Sequence, residues 1–352
     1  MTEKTDLYSL STAELTDFVK SIGEPAFRAK QIKAWLNLGT PIAEMTNLSR
    51  PLREKLAQLT LDTLPRVDTK LTSAIDGTVK YLFALHDGAA VESVFMRYKH
   101  GNTLCISSQV GCRMGCRFCA STIGGRVRDL LPSELLGQII AAQRDTGERV
   151  SNVVMMGIGE PLDNYDNVIK FLELVNAEDG LNIGYRHISL STCGVVPRIR
   201  ALAEVELPIT LSISLHAAND EKRSAIMPVN NKWNISELLD ACAYYYTKTG
   251  RRISFEYTLI SGKNDTEGDA RELAELLIST FRKLSAPIHV NLIRVNEVKE
   301  TGFREGSCEG ANKFAATLES YGIVATVRRR LGTDINAACG QLRRSAKTSK
   351  EE

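Results

Sequence analysis

Between residues 103 and 321 the sequence switches six times between a short strand-like run and a longer amphipathic window. The runs are 103–107, 152–156, 187–191, 210–215, 253–260 and 288–293, and the helical windows lie near 133–146, 165–176, 197–204, 235–248, 266–283 and 309–321. Strands that alternate with helices in this way cannot be joined by tight turns, so they lie parallel with the helices crossing over their faces. Eight such units close a complete barrel; six predict an α/β fold built as a partial (β/α)6 barrel. In such folds chemistry collects at the carboxyl ends of the strands, and the residues there are the first candidates for function.

Two regions precede the barrel. Residues 1 to about 60 read as short amphipathic helices, one opened by the cap-like Ser11-Thr12-Ala13-Glu14 and others punctuated by Pro25 and Pro51. From about 68 to 99 apolar and polar residues alternate around a turn at Asp87-Gly88, which predicts a β-hairpin. The expected divisions are a helical accessory domain over 1–65, a hairpin linker region carrying Glu92 over 66–101, the barrel over 102–300, a C-terminal helix, strand and loop over 301–345, and a frayed tail over 346–352. The 44 Lys+Arg against 42 Asp+Glu give a net charge of +2, which excludes a polyanion-coating tail protein but leaves local basic patches open. No stretch approaches the roughly 18 to 20 apolar residues of a membrane helix. The opening MTEKTDLYSL carries charges where a signal peptide is apolar, so the expectation is a cytoplasmic protein without membrane contact.

Eight cysteines stand at 105, 112, 116, 119, 193, 242, 308 and 339. A reducing cytoplasm disfavours a disulfide scaffold and turns attention to metal binding or thiol chemistry. Cys112, Cys116 and Cys119 form a C-x3-C-x2-C array just after the first barrel strand. A closed zinc site wants four ligands, usually from two C-x2-C pairs, and no second pair exists; a distant residue would have to complete it. Three local thiolates suit a 4Fe-4S cluster with one iron left open. This array, with Phe118 before its last cysteine, resembles the radical S-adenosylmethionine superfamily. The resemblance implies a radical-SAM barrel in which the open iron chelates the amino and carboxylate groups of S-adenosylmethionine.

Polar residues recur at later strand ends. Gly159 and Glu160 lie in Gly157-Ile158-Gly159-Glu160-Pro161, Ser191 ends the third run, Ser214-Leu215-His216 the fourth, and Asn296 follows the sixth. Singly, each is a loop hydrogen-bonder as readily as a ligand; their recurrence at successive strand ends favours cofactor binding. Leu162 stands where a dinucleotide fingerprint needs glycine. The Gly-Glu-Pro segment resembles the one that meets the cofactor's amino group in the superfamily. An anionic carboxylate is a sensible partner for an ammonium.

The segment Gly332-Thr333-Asp334-Ile335-Asn336-Ala337-Ala338-Cys339-Gly340, taken with Cys105 seven residues before the cysteine array, resembles the bacterial RNA adenine C2 methyltransferases that act on 23S ribosomal RNA and transfer RNA. The resemblance covers nearly the whole chain. Adenine C2 is an unactivated aromatic carbon without a nucleophilic lone pair, so direct displacement on a sulfonium methyl does not methylate it, whereas a thiolate takes that methyl readily. The resemblance implies that Cys339 becomes S-methylcysteine, that two S-adenosylmethionine molecules are used per turnover, and that Cys105 resolves a protein–RNA adduct, leaving a Cys105–Cys339 disulfide. It implies Glu92 as proton acceptor, a role that Cys105 could share; from the sequence alone Glu92 reads equally as an outward strand residue. It also implies an electron donor such as flavodoxin or ferredoxin, and the expected state is a monomer. Cys193, Cys242 and Cys308 match nothing functional, and Cys242, between two alanines of a helical window, reads as packing.

Charge placement fits an RNA substrate. Residues 97–128 hold six Lys/Arg and no Asp/Glu, and 326–349 hold six Lys/Arg against Asp334. Such runs mark where phosphates approach, or a solvated basic face. The target base must leave its stack to reach a buried cluster, and the N-terminal helices are an RNA-gripping element by resemblance. Two alternatives stand beside this reading: the related enzyme that methylates adenine C8 and confers ribosomal antibiotic resistance, and a non-catalytic zinc-containing RNA-binding protein. The stretches Ala120 to Gly125 and Met155-Met156-Gly157 resemble the C2 family more closely.

Overall fold

The computed structural model describes residues 4–296 and 302–335. Cys339 and the 346–352 tail lie outside the described residues. Three helices open the chain: α1 (Thr12–Ser21), α2 (Arg28–Asn37) and α3 (Arg50–Leu59). Ser11 caps α1 through the Glu14 N–H while Glu14 reaches back to the Ser11 N–H, and Pro51 stands in the first turn of α3, where its missing N–H costs nothing. Leu15, Val19, Ile32, Leu36, Leu52 and Leu56 give these helices a small core of their own.

The sheet begins with β1 (Arg66–Thr72), β2 (Val79–Ala84), β3 (Ala90–Tyr98) and β4 (Gly101–Cys105). A two-stranded ribbon follows, β5 (Gln109–Gly111) with β6 (Arg126–Asp129), flanking the cysteine loop. The barrel then runs α4 (Pro132–Thr146), β7 (Asn152–Met155), α5 (Tyr165–Asn176), β8 (Ile188–Thr192), α6 (Val196–Val205), β9 (Thr210–Ser214), α7 (Asp220–Ile226), α8 (Ile235–Thr249), β10 (Ile253–Leu259), α9 (Glu267–Phe281), β11 (Ile288–Arg294), α10 (Cys308–Ser320) and β12 (Val324–Val327). Ten strands form one sheet in the order β1-β2-β3-β4-β7-β8-β9-β10-β11-β12, antiparallel up to β4 and parallel from β4 onward. This is the α/β architecture expected of a radical-SAM partial barrel. The hairpin gains β1 as a third strand and continues the barrel sheet through the β3–β4 pairing.

Parallel strands covered on both faces usually read as unbroken apolar runs. Here they alternate. Val153, Met155, Leu190, Leu211, Ile213, Phe255, Tyr257, Val290 and Leu292 belong to the main core. The intervening positions, Ser189, Ser191, Ser212, Ser214, Ser254, Glu256, His289 and Asn291, face the lumen, where cross-strand register sets Ser191 beside Ser212 and Ser214 beside Glu256. A polar lumen is a solvated or ligand-filled one, and that is where the site lies. No helix among the described residues is long and apolar enough to cross a membrane.

Candidate active site

The β5–β6 ribbon holds the base of the cysteine loop. Gly111 has φ +82°, and a Cβ there would stand 2.0 Å from the Gly125 carbonyl oxygen, so only glycine lets the two arms close. Cys119 N–H donates to the Cys116 carbonyl at 3.1 Å and Arg117 N–H to the Ile226 carbonyl at 2.9 Å, which fixes the loop against the end of α7. Gln109, fully buried, ties this base to the next strand end: its side-chain oxygen accepts from Glu160 N–H at 2.8 Å and its amide donates to Asp129 and Asp163. Gly159, with φ +108°, lies so close that a Cβ would approach Gln109 N to 2.7 Å.

A cavity of about 360 Å³ opens at the carboxyl ends of the strands. Its walls bring together Cys112, Cys116 and Cys119 with Gly159, Glu160, Ser191, Ser214, His216 and Asn296, and Cys105 stands on the same lining. Of the expected cofactor contacts, Leu215 alone keeps its side chain outside this lining; it is fully buried in the main core, and its N–H donates to the Glu256 carbonyl at 3.0 Å. Glu92 also lies outside the lining. It shares a face of β3 with Val94 and Met96, which do line the cavity, and pairs with Lys80 at 3.1 Å with both side chains 1% exposed.

Two cavity groups have shifted protonation. Burial pushes the Glu160 carboxyl up, opposed by Cys193 N–H (2.7 Å) and Leu162 N–H (3.0 Å), which each donate to one of its oxygens. His216, at φ +58°, accepts Thr258 N–H at Nδ1 (2.9 Å); burial, with the Arg223 charge behind it, pushes its imidazole down to about 3. His216 is therefore neutral with its proton on Nε2, an orienting donor set edge-on against Phe118 at 5.0 Å.

The residues present fit an iron–sulfur cluster and its cofactor. The thiols lie along one wall, and no group of three His, Cys, Asp or Glu side chains among the described residues converges on a single metal ion. Thiolates that bind different irons of one cluster stand further apart than the ligands of a mononuclear zinc. Beside them the buried Ser121 hydroxyl has no hydrogen-bond partner and lies on the cavity wall.

Sequence reasoning missed Arg223, Arg328 and Glu256. Arg223 is fully buried on α7 and donates to the carbonyls of Cys193, Ser214 and Leu215 and to Asn230 Oδ1, so one guanidinium pins two strand ends of the site. Nothing local in the sequence marks it. Arg328 and Glu256 line the cavity, and a charge within the strand-like run Ile253-Ser254-Phe255-Glu256-Tyr257 was the available signal. Cys193 also lines the cavity, whereas Cys242 is packed in the main core.

The basic run over 97–128 needs correction. Arg97 pairs with Glu148, Arg113 with Asp163, Arg126 with Asp129 and Arg128 with both Asp87 and Glu134. All of these acids lie outside the run, beyond the reach of a charge count within it. Among the described cations of the two basic runs, Lys99, Arg117, Arg328 and Arg329 have no ion pair, while Arg330 pairs with Glu305.

Residues 106–277 match the radical SAM superfamily, and residues 5–61 match the ribosomal RNA large subunit methyltransferase N-terminal domain. A radical SAM methyltransferase from Sphaerobacter thermophilus superposes with a TM-score of 0.90 at 40% identity, over 96% of this chain and 98% of that one. Fold and site together define a radical S-adenosylmethionine methyltransferase. Proteins of Alkaliphilus oremlandii and Clostridium perfringens (strain 13), each named a probable dual-specificity RNA methyltransferase RlmN, are 55% and 54% identical over 97% and 98% of this chain and 98% of their own lengths. The chain belongs to the RlmN family of RNA methyltransferases.

Proposed function

We propose that this chain methylates C2 of adenine in 23S ribosomal RNA, at the peptidyl transferase centre, and in transfer RNA, at the adenine 3′ of the anticodon. The observation that carries the reading is the single cavity in which the three-cysteine wall, the Gly159–Glu160 turn and Cys105 meet. Leu331, eight positions before Cys339 in the sequence, packs against Cys105, Val94 and Met96. The names of the relatives support an RNA substrate of two kinds.

Cys112, Cys116 and Cys119 would hold the cluster, and Glu160, Ser191, Ser214, His216 and Asn296 would hold S-adenosylmethionine, two molecules of which are consumed per turnover. When bound, these groups would supply the one-electron chemistry needed to activate a methyl group. The chain's own part is thiol chemistry. The Cys339 sulfur carries the one-carbon unit to the ring, Glu92 or Cys105 takes the ring proton, and the Cys105 thiolate attacks the Cys339 sulfur to release the RNA. A Cys105–Cys339 disulfide remains and is reduced before the next turnover. The reading includes a cytoplasmic monomer that receives electrons from a flavodoxin or ferredoxin.

The test is nucleoside mass spectrometry of both RNAs after anaerobic reconstitution. 2-Methyladenosine in each is the expected product; 8-methyladenosine alone would assign the chain to the antibiotic-resistance chemistry. Zinc without iron in the reconstituted protein would overturn the enzyme reading.

A further inference from the structure

The lumen-facing positions of β10 and β11 carry a line of polar groups that the chemistry above leaves unused. Glu256 lines the cavity and is 3% exposed. Its Oε2 accepts from the Asn291 amide at 2.7 Å and its Oε1 from the Ser254 hydroxyl at 3.3 Å. Ser254 Oγ is 2.9 Å from His289 Nδ1, and His289 Nε2 is 3.1 Å from Thr326 Oγ1. Ser254 and His289 are each the second residue of their strands, while Thr326 is exposed on the edge strand β12. The line therefore dips toward the amino-terminal rim of the barrel at Ser254 and His289 and ends on the exposed edge strand, where Thr326 is level in register with Asn291.

A second hollow of about 370 Å³ opens at that rim, lined by Thr103, Asn152, His187 and Thr210. It shares Met96, Tyr98, Met156 and Arg328 with the cavity above, so these four residues partition one lumen. The groups facing Glu256 are few: Arg328 just beyond β12, whose charge favours the carboxylate, the Ser212 and Ser214 hydroxyls from β9, Asn291 from β11, and Ser254 on its own strand. Burial pushes the Glu256 carboxyl up, and burial with the Arg252 charge pushes the His289 imidazole down. Their proton affinities are thereby drawn toward each other, as transfer between them requires.

We propose that Glu256, Ser254 and His289 form a proton relay that drains the cofactor cavity to solvent at the exposed edge strand β12, and that it carries the proton lost by the base ring on methylation. The second half of this statement rests on the function proposed above; the first half does not. Ser254 has one hydroxyl proton. While it donates to the Glu256 carboxylate, His289 donates Nδ1–H to Ser254 and accepts at Nε2. When His289 takes its other tautomer by exchange with solvent, with the ring proton on Nε2, Ser254 turns to donate to Nδ1; a proton reaching Glu256 then passes to Ser254 Oγ as Ser254 hands its own to Nδ1 and Nε2 releases one toward Thr326 and solvent, which restores the first arrangement. One proton enters, one leaves, and no electron moves. RNA seated over the upper mouth would leave this exit at the sheet edge open.

Two measurements test it. In the protein without RNA, the His289 imidazole followed by NMR against pH should titrate in two steps, the second sensing Glu256, and should collapse to one step in Glu256→Gln; identical titrations in the two proteins would overturn the relay. In reconstituted enzyme, Glu256→Gln and His289→Ala should still acquire the Cys339 methyl group but release methylated RNA about tenfold to a hundredfold more slowly. Added imidazole should restore His289→Ala and leave Glu256→Gln slow. Wild-type release rates in both variants, or no rescue by imidazole, would overturn the role in catalysis. A wild-type enzyme that yields no 2-methyladenosine would sink the proposed function, with the NMR arm still deciding the relay.

Discussion

The Ser73 hydroxyl donates to the Asp334 carboxylate at 2.7 Å, across 261 positions of sequence. Ala74 N–H donates to the other oxygen of that carboxylate at 2.8 Å, and Asp76 returns the contact by accepting Gly332 N–H at 2.9 Å. The β1–β2 turn and the segment beyond β12 thus clasp each other. These are the two outer strands of the sheet, and side chains bridge the gap that strand pairing leaves open. Asp334→Ala should cost only about 1 kcal/mol of stability, because its bonds are exposed to water. RNA methylation should fall about a hundredfold, because the segment leading to Cys339 loses its anchor and small misplacements are expensive in catalysis. Thermal unfolding and product yield, measured on one preparation, check the contrast; an unchanged yield would remove the clasp from the mechanism.

Lys80 and Glu92 form a buried ion pair. Lys80→Met alone should destabilise the fold by about 3 to 5 kcal/mol, since it leaves a carboxylate without its charge partner. Adding Glu92→Gln should recover much of that loss. If Glu92 takes the ring proton, RNA product should not recover with it; a double variant that regains both stability and turnover would leave Glu92 a purely structural role.

His216 ordinarily titrates near 6.5 but in the fold only near 3. Between those values the unfolded chain binds more protons than the folded one, so stability falls as pH drops through this window, by up to about 1.4 kcal/mol per pH unit. His216→Asn keeps an acceptor for Thr258 N–H and tolerates the left-handed backbone. Its denaturation midpoint should therefore fall less than that of the wild type between pH 6 and pH 4. Parallel curves would show that the histidine is not the group responsible.

Cys105 is paired in register with Val94 on one side and Val154 on the other, at the strand where the sheet changes from antiparallel to parallel. Cys105→Ala should leave this pairing intact and remove the thiol proposed to resolve the adduct. RNA should then attach to the protein and stay attached, visible as a shifted band that nuclease removes. Free methylated RNA at the wild-type rate would exclude Cys105 from the release step.

Much of the barrel was legible because lumen-facing positions are polar and helix-facing ones apolar, so strands announce themselves by period two. The run over 152–156 corresponds to β7 at Asn152–Met155, and that over 210–215 to β9 at Thr210–Ser214. β1 was missed as a distinct strand because Arg66–Thr72 is an edge with charges along it and a largely exposed pattern. β5 is too short to show any period, and its partner lies beyond the whole cysteine loop. The cysteine array and the strand-end residues could be read from spacing. Arg223 could not, because its task is to collect carbonyls contributed by distant turns.

The pairing of Arg97, Arg113, Arg126 and Arg128 with acids from elsewhere in the fold has a consequence for selectivity. Cations already engaged release few counterions on meeting a polyanion, so affinity for arbitrary nucleic acid should be modest and only shallowly dependent on ionic strength. Such a surface should pass over most of the transcripts it collides with and, on the proposed function, hold those whose folded contour presents an extruded purine to the cavity.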